Sequence, residues 1–196
     1  MTATLEAVYE RIDAANNNDP NRETWAGEEH PKELLYGRRM TAWLERLYPD
    51  APEALRIAVR AQHIRRWEIS RKDYPEGRAG YHQWRTFLYK YHGEKTAEIL
   101  TELGYESETI ERVQFLLAKK KLRTDPDTQA LEDAACMVFL ENHFDDFIRT
   151  GGIADDHMID IVRKTWAKMS ERAHAAALEL NLPPEAARIV QAALAE

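Results

Sequence analysis

Two histidines, His63 and His92, an acidic doublet, Glu132-Asp133, and a spread of cations are the residues whose types could do chemistry. The doublet lies near the start of the stretch from Leu131 to Leu140, which is otherwise apolar on every side of a helix. A helix that is hydrophobic all round is buried. A buried carboxylate needs a metal, a cationic partner or several donors. Two imidazoles and a carboxylate suit a divalent metal, so His63, His92 and Asp133 are the candidate ligands, for Mn, Fe, Ni, Zn or Mg. Glu132 is turned about 100° from Asp133 and is the candidate catalytic base or water-orienting group. Arg65, Arg66, Arg85, Lys95 and Lys120, with Gln129, suit an anion such as phosphate. A metal beside a phosphate-binding rim is the apparatus of metal-assisted hydrolysis. An internal ion-pair network, in which Arg65 or Lys95 neutralises Asp133, stays open beside it. No two of the ligands sit at a diagnostic short spacing.

Helices must position these groups. Leu5, Val8, Tyr9 and Ile12 define a first amphipathic helix over about 3–17, stopped by Asn16-Asn17-Asn18-Asp19-Pro20. A polar loop follows to Pro31, and a second helix spans Lys32 to Tyr48. Asp50, Pro52 and Glu53 start a third, expected to run to about Trp67 and to carry His63 near its end. Ser70 to Arg78 reads as a loop. A fourth, long helix covers about Ala79 to Leu103 before Gly104 and carries Arg85, His92 and Lys95. Ser107 is expected to cap a fifth, reaching the Lys119-Lys120-Lys121 run. Asp125-Pro126 opens the sixth, with the acidic doublet, and Gly151-Gly152 breaks the chain. Two shorter helices follow, near 155–168 and 170–180, and Pro183-Pro184 starts the last. No strand of convincing length is expected.

Composition agrees with this. The chain has 196 residues, is 44% hydrophobic and 31% charged, and holds only 8 Gly and 8 Pro, too few for a sheet-rich fold. A net charge of −7 argues against a general nucleic-acid binder. No apolar segment approaches the roughly 20 residues of a membrane span. The N-terminus lacks a basic-then-apolar signal pattern, and the single Cys136 fits a reducing compartment. A cytoplasmic protein is expected.

The order of a His-bearing helix, a second His on the next helix, and an Asp inside an apolar helix resembles the HD superfamily of metal-dependent phosphohydrolases. More closely, the chain to about residue 180 resembles domain-of-unknown-function family 4202, grouped with HD-like proteins. The segments that carry this include Ile12-Asp13-Ala14-Ala15-Asn16 with Asp19-Pro20-Asn21, Glu33-Leu34-Leu35-Tyr36-Gly37, and Arg39-Met40. They continue with Ala61-Gln62-His63-Ile64-Arg65-Arg66-Trp67, Arg78-Ala79-Gly80-Tyr81, Trp84-Arg85, His92 and Gly104-Tyr105. Gln129-Ala130-Leu131-Glu132-Asp133, Lys164-Thr165-Trp166 and Lys168-Met169-Ser170 complete the set. Two departures stand out. Ile64 follows His63, so the adjacent His-Asp pair is missing. Tyr36-Gly37-Arg38-Arg39 occupies the place of the first superfamily histidine. The resemblance puts Asp133 at the terminal ligand position; for Asn16 and Asp19, in the matched N-terminal motif, closing the cavity and simply stopping the helix both stay open.

The expectation is an all-α, single-domain helical bundle resembling the HD-domain fold over 1–180, with a C-terminal helix over 181–196. It binds a phosphate-bearing small molecule, nucleotides included, and neither extended nucleic acid nor a membrane. Two outcomes stay open: a divalent-metal-dependent phosphohydrolase, or a non-catalytic metabolite-sensing or protein-interaction module of the same fold with a degenerate metal site. Oligomeric state is not legible.

Overall fold

The computed structural model describes residues 3–150 and 155–195. Among them lie ten α-helices and one two-stranded hairpin, so the all-α expectation holds in the main. The expected break at Gly151-Gly152 lies outside the described residues. No helix there is long and apolar enough to cross a membrane. The chain divides into two compact units, Met1–Leu131 and Glu132–Glu196.

In the first unit, α1 (Leu5–Asn16) begins at Thr4, whose hydroxyl accepts the Ala7 N–H. It buries Val8 and Ile12. The polar loop that follows contains an antiparallel hairpin, β1 (Arg22–Trp25) and β2 (Glu28–Pro31). Ala26 (φ 52°) and Gly27 (φ 85°) form its two-residue turn. Positive φ at both positions matches the right-handed twist of the flanking strands. Four-residue strands with largely exposed side chains show no alternation, which is why the sequence reads as loop.

Helix α2 (Lys32–Leu47) buries Leu34, Leu35, Met40, Trp43, Leu44 and Leu47. Gly37 lets it approach α3 (Glu53–Arg60): a Cβ there would lie 2.9 Å from the Arg60 carbonyl oxygen. Arg60 grips Asp13 of α1 with two charge-assisted bonds of 2.7 Å. The third helix stops at Arg60 rather than Trp67. The chain turns through 61–65, with Arg65 in the left-handed region (φ 53°), into single 3-10 turns at Arg66–Glu68 and Arg71–Asp73.

Helix α4 (Gly77–Glu102) starts against Pro75, and only a glycine fits at position 80. A Cβ there would stand 1.8 Å from the Pro75 carbonyl oxygen. Helix α5 (Ser107–Leu117) has Glu106 at its cap position and ends before the lysine run. Lys119 and Lys121 take positive φ in the following turn. Asp125 does cap α6 (Pro126–Val138), accepting the Thr128 N–H at 2.9 Å. Helices α1, α2, α4 and α5 share a core around α3 in which Ile12, Met40, Leu44, Leu55, Ile57, Leu100 and Leu116 are fully buried.

The unit boundary falls within α6. In the second unit a π-helical turn, Phe139–His143, joins α6 to α7 (Phe144–Thr150). Then come α8 (Asp155–Trp166), α9 (Glu171–Leu178) and α10 (Pro184–Leu194). Phe144, Met158, Val162, Ala186 and Ile189 form their core.

Candidate functional site

The end of α1 organises the site. Asn16 and Asp19 are almost fully buried, at 2% and 1% exposure. Burial at that level commits their polar atoms to partners. Asp19 accepts the Asn21 N–H and side-chain amide through Oδ1, and the Glu33 N–H through Oδ2 at 3.0 Å. Asn16 donates to the Glu33 carbonyl and accepts the Arg65 N–H at 2.9 Å. The Asn-Asp-Pro segment is thus more than a helix stop. It pins the N-terminus of α2 and holds Arg65 in its left-handed conformation, and that bend places His63 and Arg66.

Glu33 lies at the centre, 5% exposed. His63 Nδ1 is 3.0 Å from its Oε2, and Arg66 donates to Oε1 at 3.4 Å. Burial pushes the Glu33 carboxyl up, and Arg66 and Lys32 act against that. Tyr36 stacks flat on His63, centroids 3.9 Å apart and 9° between planes, fixing the ring. His92, 3% exposed, donates from Nδ1 to the Ile64 carbonyl at 2.8 Å, and its ring centroid is 6.0 Å from that of His63. Desolvation, then the charge of His63 and Arg66, brings His92 down to about 3. It is neutral, with its proton on Nδ1 and the lone pair on Nε2.

A cavity of about 540 Å³ opens beside this cluster. Four cations line it (Arg22, Lys32, Arg66 and Arg71), with Glu33 as the one carboxylate in its wall. Asn21, Trp67, Ile69, Ser70 and Trp84 complete the lining. Arg71 donates to the carbonyls of Tyr74 and Gly77, which leave its charge uncompensated. Arg66 lies 5.0 Å over the Trp84 ring, and Trp84 donates to the Ile69 carbonyl. The chemistry such a lining offers is capture of an anion by charge-assisted bonds.

The residues singled out in the sequence distribute as follows. His63, His92 and Arg66 come together. Arg65 neighbours them through its backbone, and its side chain pairs with Glu68 at 2.7 Å. Lys95 pairs with Glu98, and Arg85 lies over Tyr89. Lys120 lines a different depression, with Glu108, Glu111 and Arg112. Gln129 is half-buried on α6. Glu33, Arg22, Lys32 and Arg71 were not singled out as ligands. Glu33 stands in Glu33-Leu34-Leu35-Tyr36-Gly37, a segment that carries the family resemblance, and that is its signal in the sequence.

The acidic doublet belongs to the second unit, where Lys168-Met169-Ser170 meets it. Asp133, fully buried, accepts the Ser170 N–H at 2.9 Å and the Ser170 hydroxyl at 2.5 Å. Ser170 in turn caps α9, accepting the Ala173 N–H. Glu132, 4% exposed, has the Lys168 ammonium 3.8 Å away.

With Nδ1 donating to the Ile64 carbonyl, His92 matches the arrangement in which a metal-binding imidazole presents Nε2. Among the described residues no three His, Cys, Asp or Glu side chains form a group that would hold an ion. The model of a domain of unknown function, DUF4202, matches residues 6–190. No curated protein and no solved structure matches the chain.

Proposed function

This chain belongs to the DUF4202 family, and we propose that it binds a phosphate-bearing small molecule in the cavity of its first unit. The observation that carries this is the charge of the lining: four cations around one carboxylate. Among the described residues neither Arg22 nor Lys32 is held in an ion pair, so both are available to a ligand. The volume is within the range of small-molecule sites.

An HD-like frame and hydrolysis of the bound phosphoester extend the proposal, supported by the pairing of His63 and His92, whose ring centroids lie 6.0 Å apart. The buried Cys136 agrees with a reducing, cytoplasmic setting.

The test is a titration with pyrophosphate, followed by tryptophan fluorescence, since Trp67 and Trp84 wall the cavity. Saturable binding that weakens with salt is expected. Lys32→Gln should lower affinity about tenfold, the scale of one charge-assisted contact. An unchanged signal, or a Lys32→Gln variant that binds as the wild type does, refutes the reading. Phosphate release from a phosphoester on adding Mn²⁺ assigns an enzyme, and binding without turnover assigns a sensing module.

A further inference from the structure

Helix α4 carries a feature that anion capture alone does not use. Residues 77–93 hold Arg78, Arg85 and Lys90 and no Asp or Glu, in a chain of net charge −7. The same stretch has five aromatic side chains, Tyr81, Trp84, Phe87, Tyr89 and Tyr91. Tyr81 and Phe87 are 43% and 45% exposed, unusual for rings of that size. Tyr81 adjoins the cavity: its ring centroid is 6.0 Å from that of Trp84, and Trp84 is part of the cavity wall.

Resting on the cavity as the anion site, we infer that the ligand is a nucleoside phosphate whose base stacks on Tyr81 beside the cation-lined cavity. Inorganic phosphate or a sugar phosphate would satisfy the cations and leave the aromatic face in water. A nucleoside phosphate has both chemistries. Its phosphates meet Arg66, Arg71 and Lys32, and its flat base covers an exposed ring. Stacking of a base on an aromatic side chain tolerates any base, because every base has a π-face.

The experiment compares a nucleoside diphosphate with pyrophosphate, on the full chain and on Tyr81→Ala and Tyr81→Phe. Tyr81 is exposed and its removal leaves the core intact. The nucleoside diphosphate should bind about tenfold tighter than pyrophosphate, the lower part of the range for one base–aromatic stack. Tyr81→Ala should abolish that advantage without moving pyrophosphate affinity, and Tyr81→Phe should keep it. Equal affinity for the two ligands, or a nucleoside advantage that survives Tyr81→Ala, overturns the inference while the cavity reading stands. Failure of both ligands to bind overturns the cavity reading, and the inference with it.

Discussion

Replacing Asp133 with alanine decides what the most buried acid of the chain is for. Its carboxylate is fully buried and receives two donors from Ser170, the backbone N–H at 2.9 Å and the hydroxyl at 2.5 Å. Hydrogen bonds to a charged group contribute about 1.5–3 kcal/mol each. The half-buried Ser170 hydroxyl can turn to another acceptor, whereas its N–H cannot move, so the two losses do not add in full. Asp133→Ala should therefore cost about 3 kcal/mol of stability, and Ser170→Ala about 1–2 kcal/mol, the scale of a lost cap. The pair shares one interaction, so a double-mutant cycle should return a coupling of about 1 kcal/mol or more. Urea unfolding followed by far-ultraviolet circular dichroism measures all three variants. Pyrophosphate binding, measured where Asp133→Ala is folded, should match the wild type. A coupling within error of zero, with Asp133→Ala less than about 0.5 kcal/mol below wild type, would refute the assignment of Asp133 as the anchor of α9.

Gly80→Ala should destabilise the protein by about 3 kcal/mol, because its Cβ would lie 1.8 Å from a backbone oxygen that cannot swing aside; thermal melts check this. His92 has a folded value of about 3 against an unfolded value near 6.5, so the unfolded chain takes its proton first. Its contribution is present above about 6.5 and is lost as pH falls toward 3. A His92→Gln variant should show a stability–pH slope shallower by up to about 1.4 kcal/mol per pH unit in that window, and parallel curves would contradict it. Glu33 has the opposite sign. Its raised value gives a contribution that is present at low pH and lost as pH rises through the folded value. Glu33→Gln should remove that loss in the same urea series.

Much of the frame was legible because helix signals are local. Asp125 before Pro126 marked a cap, and it bonds the Thr128 N–H. The apolar run from Leu131 to Leu140 announced burial, and Glu132 and Asp133 are indeed inside. What failed to show has a common cause, in contacts between residues distant in sequence. Arg65 is bent into the left-handed region by Asn16, 49 residues earlier, so periodicity carried the third helix past its true end and put His63 on it. Glu33 meets His63 across 30 residues, and Ser170 meets Asp133 across 37. The hairpin was hidden because its strands are four residues long and its turn depends on the positive φ of Ala26, a non-glycine residue. Charge counting over the whole chain also averaged away the local excess around Arg22, Lys32, Arg66 and Arg71.

The central claim is that this cavity is an anion site, and tungstate, a heavy phosphate mimic, tests it most directly. In crystals of the full chain soaked with tungstate, the anomalous signal should appear in the cavity, within hydrogen-bond reach of Arg66, Arg71 and Lys32. A signal only elsewhere on the molecule, at the Lys120 depression for example, would contradict the claim.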